Sequence, residues 1–196
     1  MIPKILHSVW FGPGKKSDLF INCMRSWPTD WPVIETTESN VDFPCAHIDA
    51  VVQRGEFVKA TELARLVAVH RHGGIYMDCD VEVLRPLDPL LTETCFFGYY
   101  KPGGVNGAVF GAEKGSKCVE KLIDLFPKNL PGMSYPPEYG PVFLTDALRQ
   151  ISVDVLAPMP TIFPQRYFYP YSYGEKDPGV YPADSYTVHR WAKSWG

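Results

Sequence analysis

The sequence predicts an α/β fold, a mixed central sheet flanked by helices on both faces. Three observations carry that reading. Short apolar runs of strand length alternate with helix-period segments as far as Asp80. Two further strand-like runs, Phe96 to Tyr100 and Val105 to Gly111, follow across the loop Lys101-Pro102-Gly103-Gly104. The clearest helical pattern, Gly55 to His72, stops at Gly73-Gly74 and leads straight into a buried-strand pattern.

Taken in order, Ile5 to Phe11 reads as a buried strand closed by Gly12-Pro13-Gly14, a strand-then-glycine-turn opening typical of nucleotide-binding sheets. Neither GxGxxG nor GxxxxGK[ST] occurs, which excludes a dinucleotide fingerprint and a P-loop. Ser17 to Ser26 is a short helix with Ser17 as its N-cap. Trp31 to Thr36 reads as a second strand, and Val41 to Ile48 is ambiguous. In the long helix, Phe57, Ala60, Leu63, Ala64, Val67 and Ala68 fall close to one face. Glu62 and Arg65 lie three apart and share a face, which on spacing alone is an ordinary surface ion pair. Val81 to Leu84 and the turn material from Arg85 to Pro89 follow the strand that ends at Asp80. Ser116 to Phe126 and Tyr139 to Ile151 are helices, the second with Pro141 near its first turn. Val153 to Ala157 reads as a short strand and Phe163 to Tyr173 as an aromatic-proline segment.

The chemistry concentrates at Gly73-Gly74-Ile75-Tyr76-Met77-Asp78-Cys79-Asp80. On a strand, residues i and i+2 point the same way, so Asp78 and Asp80 would present two carboxylates side by side. Adjacent like charges raise each other's pKa unless a cation sits between them, and a hard divalent ion such as Mg²⁺ or Mn²⁺ takes oxygen ligands. A cation held by two carboxylates calls for a phosphate partner, and Arg65 could neutralise that phosphate. The C-terminal stretch adds His189, Arg190, Lys193 and Ser194, with the indole N–H groups of Trp191 and Trp195, a set able to fold over a diphosphate. The bland alternatives are a solvated surface turn for the aspartates and a frayed end for the tail.

Composition bounds the rest. The 196 residues, 45% hydrophobic, suit one domain with a real core. A net charge of −3 gives no reason to expect a nucleic-acid partner. No apolar run is long enough to span a bilayer, and no leader pattern opens the chain, although peripheral membrane contact stays compatible with it. Five irregularly spaced cysteines form no CxxC pair; they suit a reducing, cytoplasmic setting rather than a disulfide framework or a thiolate zinc site.

Five segments in order resemble the glycosyltransferases with a sugar-binding DxD motif. They are Ile2 to Gly12, Lys59 to Arg65, Gly73 to Glu82, Gly140 to Thr145 and His189 to Trp195. That family includes initiating α-1,6-mannosyltransferases, α-1,4-galactosyltransferases and bacterial capsule or lipopolysaccharide sugar transferases, and it is distantly similar to the large glucosylating toxins. The resemblance implies a GT-A-type fold over a single domain, 1–196, with 186–196 as a lid over the donor site. It implies a nucleotide-sugar donor (a UDP-sugar or GDP-mannose), Mn²⁺ or Mg²⁺, a glycan, lipid-linked or protein acceptor, and transfer with retention. By the same resemblance Trp10 stacks on the donor base, Arg65 contacts the donor sugar or its phosphate, and Asn106 faces the sugar. Asp80 binds the metal directly, Asp78 contacts ribose or sugar and holds the metal partly through water, and His189 adds a metal ligand. Lys193, Ser194 and Trp195 close on the diphosphate. The family usually has Asp where this chain has Glu62, a carboxylate that reaches one methylene further. Cys79, between the aspartates, is expected to point away from the metal into the sheet.

Two rival classes share parts of this pattern. A haloacid-dehalogenase-like phosphatase also runs an apolar strand into DxD, yet it needs a downstream acidic pair, and no Asp-Asp or Asp-xxx-Asp follows Asp80. A non-catalytic nucleotide-sugar or metal-binding module would keep Trp10 and the DxD without the closing tail. Phe163 to Tyr173 reads as core and wrapping, with an aromatic acceptor platform as the alternative.

Overall fold

The computed structural model describes residues 1–41, 46–126, 140–153 and 159–192. Six strands form one mixed sheet: β1 (Leu6–Val9), β2 (Val33–Thr36), β3 (Gly74–Met77), β5 (Cys95–Lys101), β6 (Gly104–Ala112) and β7 (Thr161–Phe163). Their order is β2-β1-β3-β6-β5-β7. β1 runs parallel to β2 and β3, whereas β6 is antiparallel to both β3 and β5. Two short strands, β4 (Val81–Val83) and β8 (Thr187–His189), pair antiparallel apart from the main sheet.

Period-2 alternation sends β3 side chains to opposite faces, and each face has its own core. Tyr76 joins Val9, Phe97 and Phe110 beneath α2 (Ala46–Gln53), α3 (Phe57–His72), α4 (Lys117–Leu125) and α5 (Pro141–Val153). Ile75 and Met77 face the other way, onto Trp27, Trp31, Leu87, Phe168 and Tyr169. That second face is covered by the end of α1 (Asp18–Arg25), a 3₁₀ turn at Asp88–Thr92, and the short α6 (Gln165–Phe168). Helices on both faces of a mixed sheet is the architecture expected from the sequence.

Several local expectations change. Ser17 stands at the N-cap of α1, but its side chain makes no capping hydrogen bond. The ambiguous Val41 to Ile48 stretch resolves from Ala46 onward as α2. Val153 closes α5 instead of opening a strand, and 154–157 lie outside the described residues. Tyr139, the expected start of that helix, lies outside them too.

The junction between α3 and β3 depends on glycine. Gly74 has φ 116°, and a Cβ there would stand 2.5 Å from the Ile5 carbonyl oxygen of the neighbouring strand. Gly115 also has positive φ, 73°, but a Cβ there would meet nothing within 4 Å. Gly74→Ala therefore combines backbone strain with a backbone clash and is expected to cost at least about 3 kcal/mol, against about 1 kcal/mol for Gly115→Ala. Urea denaturation of the two variants checks this, and equal losses would remove the argument.

Candidate active site

β3 stops at Met77, so Asp78-Cys79-Asp80 is a turn and not the end of a strand. The Val81 N–H closes it by donating to the Asp78 carbonyl at 3.0 Å. The expected strand alternation is thus replaced by two separate anchors. The Asp78 N–H donates to the Ala108 carbonyl of β6 at 2.9 Å, and the Asp80 carbonyl accepts from the Arg190 N–H at 2.9 Å. The α1 end steadies β4 behind the turn. The Trp27 indole N–H donates to the Val81 carbonyl at 2.8 Å, and Ser26 Oγ accepts from the Val83 N–H at 2.7 Å.

The register of β4 against β8 pairs Val81 with His189 and so brings the imidazole to Asp80. His189 Nε2 lies 3.1 Å from Asp80 Oδ1, and the Ala192 N–H donates to Asp80 Oδ2 at 2.8 Å. One ligand atom each from Asp78, Asp80 and His189 lies within 4.8 Å of the others. His189 Nδ1 is buried with no hydrogen-bond partner, so Nε2 is the ring nitrogen that the site engages. Two carboxylates and an imidazole, with Asp80 and His189 buried and Asp78 partly open, form a donor set that fits a divalent cation.

Trp191 continues this corner. It is the non-glycine residue with positive φ, 53°, among the described residues. Its ring lies 4.2 Å from that of His189, and its indole N–H donates to the Tyr171 carbonyl at 3.1 Å. A bulky residue held in the left-handed region stores about 1–3 kcal/mol, a feature that clusters at functional sites.

Glu62 and Arg65 depart from the surface-pair expectation. Arg65 is 5% exposed and lies inside the fold. Its guanidinium contacts the Glu62 carboxylate, donates to the Gly107 carbonyl at 3.0 Å, and lies 3.5 Å from Asp78 Oδ1. Burial works against the Arg65 charge, and Glu62 and Asp78 together overcome it and hold its pKa above the ordinary value. Burial pushes the Glu62 carboxyl up to about 7, with Arg65 limiting the rise and Asp78 adding to it. The Tyr76 hydroxyl donates to Asp78 Oδ1 at 2.7 Å, and its ring lies 5.5 Å beneath the Arg65 guanidinium carbon. Tyr76 escaped the sequence reading, although the i, i+2 rule applied to Asp78 and Asp80 puts Tyr76 and Asp78 on one strand face.

These groups line one cleft of about 690 Å³. At its β1 end stands Trp10, whose indole N–H donates to the Gly14 carbonyl at 2.8 Å. Phe20 packs edge-on against the Trp10 ring, and the Lys16 ammonium lies 4.8 Å from its centroid. Gly12, Phe57 and Thr61 continue the wall. Asn106, on β6, also lines the cleft, and its side-chain oxygen accepts from the Ala108 N–H at 2.8 Å. Cys79 is buried and lines the cleft too, and burial pushes its thiol up to about 12.

The structure thus brings Trp10, Glu62, Arg65, Asp78, Asp80, Asn106 and His189 to one cleft. Arg190 turns away from it: its guanidinium contacts Glu82 and Asp177 and donates to the Tyr181 hydroxyl at 2.7 Å. It holds the loop before β8 and does not reach for an anion in the cleft. Lys193, Ser194 and Trp195 lie outside the described residues.

A family model described as the glycosyltransferase sugar-binding region containing the DXD motif matches residues 17–97. Inositol phosphoceramide mannosyltransferase 3 of Schizosaccharomyces pombe (strain 972 / ATCC 24843) is 26% identical over 156 residues, covering 74% of this chain and 44% of that protein. Inositol phosphoceramide mannosyltransferase 1 of the same strain is 27% identical over 105 residues, covering 48% and 33%. The chain therefore spans less than half the length of the curated relatives it matches. Among solved structures, PaToxG Glycosyltransferase superposes with a TM-score of 0.60 at 17% identity, over 76% of this chain and 69% of its own. A glycosyltransferase involved in the glycosylation of the major capsid of PBCV-1 superposes with a TM-score of 0.51 at 13% identity, over 97% and 95%. The fold is of the GT-A glycosyltransferase type. Over residues 17–97 the chain is similar to the DXD-containing glycosyltransferase region.

Proposed function

We propose that the protein transfers a hexose, with retention, from a nucleotide-diphosphate sugar to a glycan, lipid-linked or protein acceptor, in a reaction that needs Mn²⁺ or Mg²⁺. One observation carries this reading: Asp78, Asp80 and His189 converge on the wall of a cleft that also holds Trp10 and Arg65. Asp80 and His189, with Asp78 beside them, would hold the cation, which when bound would supply Lewis-acid stabilisation to a departing diphosphate. Arg65 adds fixed positive charge where negative charge grows, in a site that burial keeps low in dielectric. Asp78, steadied by Tyr76, and Glu62, steadied by Arg65, grip hydroxyls of the donor, and Asn106 faces its sugar.

Each carboxylate of the cleft among the described residues is already engaged, by Arg65, by Tyr76, or by His189 and Ala192. That supports retention by same-face attack without a covalent enzyme intermediate. The stretch 186–196, entered through β8, acts as a lid whose Lys193, Ser194 and Trp195 close on the diphosphate and exclude water. Among the described residues no helix is long and apolar enough to cross a membrane. The described cysteines are free, which agrees with work in the cytoplasm.

The names of the relatives put GDP-mannose first among donors to be tried, beside UDP-galactose, UDP-glucose and their N-acetyl forms. Purified protein is expected to hydrolyse one of these slowly with Mn²⁺ and not with EDTA. Phosphate release from simple phosphomonoesters with Mg²⁺, and none from any nucleotide sugar, would turn the reading to a phosphatase. Trp10→Ala is expected to raise the donor KM about tenfold with little change in kcat, because base stacking is worth about 1–3 kcal/mol and is shared by ground and transition states. A kcat loss at unchanged KM would remove Trp10 from the base site.

A further inference from the structure

Three positions of the stretch 189–192 close on Asp80. His189 Nε2 stands against Oδ1, the Arg190 N–H donates to the Asp80 carbonyl, and the Ala192 N–H donates to Oδ2. Trp191 sits between the last two at φ 53°, in the turn that brings the Ala192 N–H back to the Asp80 side chain. A bulky residue keeps that conformation only while its surroundings hold it there. The start of β8 is seated in the core: Val188 is fully buried, and the Thr187 hydroxyl donates to the Phe168 carbonyl at 3.2 Å. Past His189 the chain leaves the core, and side chains take over the hold. The Trp191 indole gives one such tie, to the Tyr171 carbonyl. The Arg190 guanidinium gives several.

Arg190 Nε lies 3.1 Å from Glu82 Oε2 on β4, and one terminal nitrogen contacts the same oxygen. The other terminal nitrogen contacts Asp177 Oδ2 and donates to the Tyr181 hydroxyl at 2.7 Å. That hydroxyl donates to Asp177 Oδ1 at 2.6 Å, and the Gly179 N–H donates to the same oxygen at 2.8 Å. One planar cation therefore joins β4, the end of β8 and the loop 177–181 by charge-assisted bonds whose directions its fork fixes. Asp177 is 40% exposed and does not line the cleft.

Resting on the cation site of the function proposed above, we infer that Arg190 is a positioning residue for that site: by tying β8 to Glu82 and to the loop at Asp177 and Tyr181, it holds His189 and Ala192 against Asp80. Its backbone and its side chain serve opposite ends of one task. The N–H grips Asp80 from the cleft side, and the guanidinium anchors the same residue to two elements outside the cleft. With the guanidinium released, the turn at Trp191 is free to relax, and the Ala192 N–H and the imidazole lose their aim. The ligand set then depends on Asp177, a surface residue that touches none of the ligands through any contact described above. Groups that orient metal ligands without binding the metal are worth about 10–100-fold in affinity.

Electron paramagnetic resonance with Mn²⁺ alone as the probe tests this on the intact chain. A titration of free Mn²⁺ gives the affinity, and the spin-echo modulation from a directly bound imidazole nitrogen reads His189. The wild type is expected to bind Mn²⁺ and to show that modulation. Asp177→Asn keeps Oδ1 for Gly179 and Tyr181 and turns an amide N–H against the guanidinium, so it cuts the Arg190 tie with little other change. Asp177→Asn and Arg190→Met are each expected to weaken Mn²⁺ binding about tenfold and to lose the nitrogen modulation, with cooperative melting retained. Asp177→Asn, at an exposed position, carries the test if Arg190→Met does not fold. Wild-type affinity and modulation in Asp177→Asn overturn the role of Arg190 alone. A wild type that binds no Mn²⁺, or binds it without nitrogen modulation, overturns the cation site and the proposed function with it.

Discussion

Asp80→Asn is expected to abolish metal-dependent turnover of the donor, a loss of at least about 10³-fold, while the protein stays folded. The substitution keeps the shape and one carbonyl oxygen, so the Ala192 N–H retains an acceptor. The amide also keeps a polar partner against His189 Nε2, since a neutral imidazole nitrogen accepts as well as donates. The stability cost should therefore stay near about 1–2 kcal/mol, the range of one imperfect buried hydrogen bond. What disappears is the negative charge that a divalent ion requires. In the wild type, GDP with Mn²⁺ should raise the melting temperature by several degrees, and EDTA should reverse it. In Asp80→Asn the Mn²⁺-dependent part of that shift should be absent. Turnover at the wild-type rate, or an unchanged Mn²⁺ shift, would remove Asp80 from the metal site.

The sequence made the two ends of this argument legible and left the middle obscure. Asp78 and Asp80 stood out because two carboxylates follow a run of apolar residues. Their convergence does not come from strand alternation, since DxD is a turn anchored to Ala108 of β6 and to Arg190 just past β8, and not a continued strand. No local pattern encodes the register of β4 with β8, and that register is what delivers His189 to Asp80. The motif resemblance proposed His189 without it; composition alone would have left a histidine in a tail. Spacing alone left the Glu62–Arg65 pair as an ordinary surface ion pair for a similar reason, and only the motif resemblance put both residues at the donor site. Spacing of three fixes a helix face but not what that face meets, and here it meets β6 through the Gly107 carbonyl and the Asp78 carboxylate. Arg190 erred in the opposite direction. A cation near a proposed diphosphate invites a functional role, yet Arg190, just past the end of β8, is held by Glu82 and Asp177 instead.

Arg65→Met is expected to be the most destabilising change in the cleft and to lower donor turnover by about 10²–10³-fold. Arg65 is the shared cation of two carboxylates, with one of its N–H groups given to a backbone carbonyl. Its removal strands the largely buried Glu62, and breaking such a pair costs about 3–5 kcal/mol near neutral pH. That loss should depend on pH, and its sign follows from Glu62. A carboxyl whose folded pKa is raised contributes stability that is fully present below its unfolded value and is lost as pH rises through the folded one. Burial already pushes Glu62 up to about 7, and losing Arg65 pushes it further. Arg65→Met should therefore lie closest to wild type near pH 5 and fall behind it toward pH 8. Glu62→Gln added to Arg65→Met should restore most of the stability, because replacing both members of a buried pair is often near neutral. It should restore none of the turnover, because the fixed positive charge is still missing. Urea denaturation at pH 5 and pH 8, beside donor hydrolysis, separates the two roles. Recovery of turnover in the double variant would mean that Arg65 only neutralises Glu62; a single variant equally stable at both pH values would mean that Glu62 does not carry the stranded charge.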